Sequence, residues 1–156
     1  MIRKLIKDDI VPIRDFLEAT RMFKEEELDV AVEMMEECAG DAEQEDYISY
    51  VSVAGERVVG WICFGKTDFC EGVYDMYWIC VDGEFQGEGV GKRLILFMEK
   101  YLKERDDLRM MVAETSSQEK YRPTCRFYEK CGFSIEAALR DFYSPGDDKL
   151  IYVKRY

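Results

Sequence analysis

Apolar positions recur along the chain with two different spacings, one helical and one strand-like. Ile10, Ile13, Phe16 and Leu17 fall at helical spacing behind Asp8 and Asp9, with Pro12 in the first turn, and predict a helix to about Thr20. Ile2–Lys7, ahead of it, reads as a short first strand. Leu28, Val32 and Met35 predict a second helix over Lys24–Cys38, with Gly40 as its stop. The outer face of that helix is acidic, carrying Glu25, Glu26, Glu27, Asp29, Glu33, Glu36 and Glu37. From Tyr47 the pattern turns to strands. Tyr47–Val53 and Val58–Phe64 flank Ala54-Gly55-Glu56-Arg57 and predict a hairpin, and Gly72–Val81 is a third apolar run. Helical spacing returns over Val90 to about Glu104, through Leu94, Ile95, Phe97, Met98 and Leu102. Arg109–Thr115 reads as a strand, Pro123–Cys131 as a helix ending at Gly132, and Phe133–Leu139 and Lys149–Lys154 as the closing strands. With no repeat and no linker composition, residues 1–156 are expected to form one mixed α/β domain.

Composition narrows the function classes. A chain of 156 residues with 47% apolar and 13% aromatic content can bury a core. Its 33 acidic residues against 22 basic ones, a formal net charge of -11, argue against a phosphate-tracking nucleic-acid binder and favour a cationic partner. The sequence contains no histidine, so imidazole bases, Ser-His-Asp triads and His-ligated metals are excluded. Acid–base work falls to Asp, Glu, Tyr, Cys or Lys. The six cysteines form no C-x-x-C pair, and no metal is expected. No stretch has membrane-span character and the first nine residues lack an apolar signal core. The expectation is a reduced, cytoplasmic protein without a membrane partner.

The most informative segment is Val81-Asp82-Gly83-Glu84-Phe85-Gln86-Gly87-Glu88-Gly89-Val90-Gly91-Lys92, between a strand and a helix. Glycines can turn sharply and present backbone N–H groups to an anion, and the helix that follows adds unpaired donors and the positive end of its dipole. The spacing G-x-G-x-G fails the dinucleotide fingerprint by one position, and Gln86 and Arg93 break the Walker A pattern. Taken alone, the glycines are also compatible with a tight strand-to-helix turn.

Gln86-Gly87-Glu88-Gly89-Val90-Gly91 matches the Gln/Arg-x-x-Gly-x-Gly/Ala pyrophosphate motif of the GNAT N-acetyltransferases, and Phe127-Tyr128-Glu129-Lys130-Cys131-Gly132-Phe133 resembles that family's helix end. The element order agrees over nearly the whole chain. The resemblance implies a mixed, mostly antiparallel twisted sheet of about six to seven strands flanked by about four helices. It also implies that acetyl-CoA is the co-substrate and that the acetyl group passes directly to a primary amine in a ternary complex. A non-catalytic acyl-CoA-binding module of the same fold is the alternative, as is a nucleotide-binding protein.

By the same resemblance, Ile79, Cys80 and Val81 lie on a strand that parts from its neighbour to take the pantetheine arm. Gln86, Gly87, Glu88, Gly89, Val90, Gly91 and Lys92 hold the pyrophosphate, with Arg93 nearby. Tyr128 is the general acid for the departing thiolate. Glu114 is the first candidate for the base that takes the amine proton, with Asp75 and Glu71 as alternatives. Backbone N–H groups near Ile79–Val81 are candidates for polarising the carbonyl. Cys80 as an acylated nucleophile is disfavoured, since no histidine can activate it.

Two positions depart from the family pattern. Tyr121 stands where an Asn is usual, and Thr115–Pro123 is long, so the coenzyme contact there falls to Tyr121, Thr124 or Arg126. The acceptor side would be built by Arg21–Glu37 and a loop at Asp141–Asp148, both acidic and aromatic, which suits a cationic amine. A homodimer is left open.

Overall fold

A computed structural model describes residues 1–41, 46–105 and 108–156. The strands are β1 (Ile2–Lys4), β2 (Ile48–Ala54), β3 (Arg57–Lys66), β4 (Val73–Val81), β5 (Met110–Ser116), β6 (Ser134–Ser144) and β7 (Asp147–Arg155). The helices are α1 (Ile10–Ala19), α2 (Glu25–Gly40), α3 (Val90–Arg105) and α4 (Arg122–Lys130). The strands follow the order β1-β2-β3-β4-β5-β7-β6 in a seven-stranded sheet. β4 and β5 pair in parallel, whereas β1–β2, β2–β3, β5–β7 and β7–β6 pair antiparallel. The chain divides into two compact units, Met1–Gly65 with Trp78–Tyr101, and Lys66–Tyr77 with Leu102–Tyr156. Among the described residues, no helix is long and apolar enough to cross a membrane.

In the first unit, β3 is buried without interruption from Val58 to Gly65, because helices cover both of its faces. Trp61 and Cys63 face the core built with Ile13 and Leu17 of α1 and Leu28 and Met35 of α2. The Trp61 indole N–H, buried there, donates to Ser49 Oγ at 2.7 Å. On the other face α3 closes in: a Cβ on Gly60 would stand 2.9 Å from Val90 and 3.2 Å from Leu94. Gly60 is therefore a packing requirement that lets the first turn of α3 lie against β3.

The second unit pairs β4 with β5 over Val73↔Met110 to Met76↔Ala113 only, and β5 with β7 along its whole length. α4 packs on one face, where Tyr128 meets Tyr152 at 5.5 Å and Phe133 at 5.7 Å between ring centroids. Gly132, at φ +88°, ends α4, and the Phe133 N–H returns to the Tyr128 carbonyl at 3.0 Å, as the sequence predicts.

Four expectations are corrected. β1 stops at Lys4, and Lys7–Asp9 forms a 3-10 turn. Asp9 does not cap α1; its carboxylate accepts the Ile6 N–H at 2.9 Å and the Arg3 guanidinium at 2.6 and 2.8 Å, a charge-assisted pair that outcompetes the cap. Gly40 is the last residue of α2 rather than its stop, which falls at Asp41 in an extended conformation. The acidic residues of α2 are all exposed, as its pattern predicts. The fourth correction concerns Asp141–Asp148, which is mostly strand: β6 runs to Ser144 and β7 starts at Asp147, leaving a two-residue turn at Pro145-Gly146. Asp141, at φ +53°, sits where the register slips between Leu139 and Ser144, and its carboxylate accepts the Gly146 N–H at 2.6 Å.

Candidate active site

Ile79, Cys80 and Val81 end β4, and Asp82 starts a 3-10 turn over Gly83–Phe85 by accepting the Glu84 N–H on Oδ1 at 3.1 Å. Gln86 is extended, and Gly87 and Gly89 take φ of +84° and +77°. Both angles lie in the left-handed region, where a side chain is strained, so glycine is needed at these two positions. Nothing stands within 4 Å of where a Gly87 Cβ would lie, and Gln86–Gly89 are exposed. The first turn of α3 follows directly: the Val90, Gly91 and Lys92 N–H groups precede its first i→i−4 bond, from the Arg93 N–H to the Gly89 carbonyl at 3.0 Å. This open backbone cradle at a helix N-terminus fits an anionic pyrophosphate.

Side chains stiffen the cradle. Gln86 Nε2 donates to the Val81 carbonyl at 3.3 Å, and Arg93 Nη1 donates to the Glu88 carbonyl at 2.9 Å. Lys92 and Arg93 are exposed. Arg57, at the start of β3, donates to Asp82 Oδ2 and Glu84 Oε2, both at 2.6 Å, and lies 5.3 Å from the Phe85 ring centroid. Burial pushes the Cys80 thiol up, away from the thiolate that a nucleophile needs.

In the second unit, Tyr128 is 5% exposed, and burial pushes its phenol above the ordinary tyrosine range. Tyr121, Thr124 and Tyr128 follow one another at helical spacing, with Tyr121 and Thr124 half-buried; Arg126 is exposed. Asp75 accepts the Thr67 hydroxyl at 2.7 Å. Glu114 is exposed and pairs with Lys149 Nζ at 2.5 Å. Asp75 aligns with Val112, two residues before Glu114, so both carboxylates project from the same sheet face. Tyr152, which touches Tyr128, aligns with Ala113 and projects from the opposite face. The sheet thus separates the two carboxylates from the tyrosine's ring contacts. Glu71 is exposed in the loop before β4.

Residues 12–133 match the Acetyltransferase (GNAT) family. The chain belongs to the GNAT acetyltransferases. A GNAT-family protein from Desulfovibrio desulfuricans is 36% identical, with a TM-score of 0.93 over 99% of this chain and 98% of that one. A streptothricin acetyltransferase from Bacillus anthracis, solved with acetyl coenzyme A, is 25% identical, with a TM-score of 0.66 over 73% of this chain and 65% of that one. The ribosomal-protein-S18-alanine N-acetyltransferase of Escherichia coli shares the fold at 15% identity and a TM-score of 0.78, over 99% and 92% of the two chains. No curated protein sequence matches significantly. As a GNAT acetyltransferase, the chain is an acyltransferase whose acetyl donor is acetyl-CoA.

The sequence did not reveal the partners of the candidate residues. Arg57 reaches its carboxylates 25 and 27 positions away, and Lys149 reaches Glu114 only through the β5–β7 register. Asp147, 7% exposed, accepts Ser116 Oγ at 2.5 Å and Gln118 Nε2 at 3.0 Å, tying the segment before α4 to β7. A polar residue beside Pro145-Gly146 reads as a turn, and no local signal marks it as buried.

Proposed function

We propose that this GNAT acetyltransferase passes the acetyl group to a primary amine, of a small molecule, a polyamine or a peptide, by direct attack in a ternary complex. The observation that carries the reading is the pair of left-handed glycines, Gly87 and Gly89, opening onto the N-terminus of α3. Acetyl-CoA supplies an acyl group already activated as a thioester. Gln86–Lys92 hold its pyrophosphate, and Ile79–Val81, beyond the β4–β5 ladder, line its pantetheine arm and offer backbone N–H groups to the carbonyl oxygen. The family match runs through both compact units, which supports reading 1–156 as one acetyltransferase domain.

An alkylammonium, with a pKa of about 10.4, must lose a proton before its nitrogen can attack. The Glu114 carboxylate takes that proton from its face of the sheet, directly or through water, and Asp75 on the same face is the substitute, while Tyr128 serves the thiolate from the opposite side. As the carbon–sulfur bond breaks, the Tyr128 hydroxyl gives its proton to the departing sulfur, and the second proton shed by the attacking nitrogen restores the phenol through water. The neutral phenol that burial favours is the form able to donate. Tyr121 and Thr124, on the Tyr128 side of α4, are assigned to coenzyme contact. The seven exposed acids of α2 favour a cationic acceptor through long-range attraction.

The test is a panel of amines, polyamines and basic peptides incubated with acetyl-CoA, with products analysed by mass spectrometry. The reading expects N-acetylated product and an equal amount of free coenzyme thiol. Acetylation of hydroxyl acceptors alone would overturn it.

A further inference from the structure

The cradle for the coenzyme is preceded by two carboxylates, an odd choice beside a pyrophosphate. Asp82 and Glu84 stand four and two positions ahead of Gln86, and Glu88 lies within the loop itself. From Asp82 to Arg93 three acids face two bases, Lys92 and Arg93, so the loop's own side chains do not favour an anion. Arg57 changes that balance. One guanidinium nitrogen takes Asp82 Oδ2 and another takes Glu84 Oε2, each at 2.6 Å, and the group lies against the Phe85 ring. Asp82, 8% exposed, uses its other oxygen for the Glu84 N–H, while its own N–H donates to the Val59 carbonyl at 3.0 Å. The two carboxylates push the guanidinium further up, so it stays charged throughout the working range.

We propose that Arg57 is a positioning residue for acetyl-CoA binding: it fixes the 3-10 turn that leads into the glycine loop and neutralises Asp82 and Glu84 where the coenzyme phosphates approach. The inference rests on reading Gln86–Gly91 as the pyrophosphate loop. Single exposed ion pairs contribute little, because water screens them and two long side chains must be ordered. Here one planar group engages three side chains of a single turn, Asp82, Glu84 and Phe85, one of them a buried carboxylate, and the fork geometry that does so belongs to arginine. A lysine in its place has a single point charge and can satisfy one carboxylate at a time. Removing the cation leaves two uncompensated negative charges at the loop entrance, which repel an anionic ligand over a distance set by the salt concentration.

The experiment is calorimetric titration of acetyl-CoA into the wild type, Arg57→Gln, Arg57→Lys and the double variant Arg57→Gln/Glu84→Gln, at low and high salt, with melting temperatures recorded alongside. Arg57→Gln is expected to weaken acetyl-CoA binding about tenfold at low salt, with Arg57→Lys in between. Adding Glu84→Gln recovers part of the loss, and raising the salt from about 20 mM to about 500 mM narrows the gap to wild type, because screening hides the exposed Glu84 carboxylate. A merely structural role would not produce the charge rescue, since Glu84→Gln restores no contact to the turn. Arg57→Gln binding within about twofold of a wild type that does bind overturns the role of Arg57 alone, as does a loss that neither Glu84→Gln nor salt relieves. A wild type that fails to bind acetyl-CoA overturns the reading of the loop and this inference with it.

Discussion

Glu114 and Lys149 face one another across the β5–β7 ladder, with Oε2 and Nζ 2.5 Å apart and the same ammonium 4.3 Å from the Phe142 ring centroid. Lys149 aligns with Ser116, so the pair is diagonal, and the lysine is the more enclosed partner, its side chain 16% exposed against 45% for Glu114. The proposed base is therefore held in place by a cation that competes with the incoming ammonium for its carboxylate. Glu114→Gln keeps the shape and removes the proton acceptor. Its turnover should fall about a hundredfold near pH 7 and recover as the pH rises towards the range of the free amine. The pH–rate profile checks this; a profile that does not move assigns the proton to Asp75 or to solvent.

Tyr128→Phe removes one oxygen and keeps the ring that packs on Phe133 and Tyr152. Turnover should drop by about two orders of magnitude while acetyl-CoA affinity stays within about threefold. Unchanged turnover would remove Tyr128 as the acid.

The same phenol makes stability depend on alkaline pH. Burial raises Tyr128 and Tyr152 in the folded chain, so the folded state keeps protons that the unfolded chain releases near pH 10. Their stabilisation is fully present below about pH 10 and is lost as the pH rises beyond it. The melting temperature should fall above that point, and less steeply in Tyr128→Phe than in wild type.

Gly60→Ala tests how the cradle is seated. The added methyl would stand 2.9 Å from Val90 and 3.3 Å from the Cys80 carbonyl, so the start of α3 must shift away from β3. Overpacking of this kind costs about 1–3 kcal/mol, readable as a lower urea midpoint, and acetyl-CoA affinity should fall with it.

Asp147→Ala should cost about 1–3 kcal/mol in denaturant unfolding, because Ser116 and Gln118 lose their shared acceptor. Asp147→Asn keeps an acceptor and should cost less.

The sequence made legible what depends on local pattern. Seven strands, four helices and the glycine loop follow from apolar spacing and from glycines that no helix or strand would choose. The loop also carried its own chemistry, since left-handed backbone at Gly87 and Gly89 is a property of glycine itself. Asp141–Asp148 read as a loop because β6 is exposed along almost its whole length and so shows no apolar alternation, while Pro145-Gly146 suggested a longer break than the two-residue turn it makes. Gly40 misled in the opposite direction, since a glycine can simply be the last helical residue. Arg57, Lys149 and Asp147 were illegible because their partners are set by strand register and by turns that bring distant positions together.

The most direct test of the account is acetyl-CoA titration into the wild type and Gly87→Val. Valine at φ +84° is strained and its side chain would occupy the open space over the loop, so affinity should fall about tenfold or more with the rest of the fold retained. Equal affinity in the two proteins would contradict the claim that this glycine cradle holds the coenzyme.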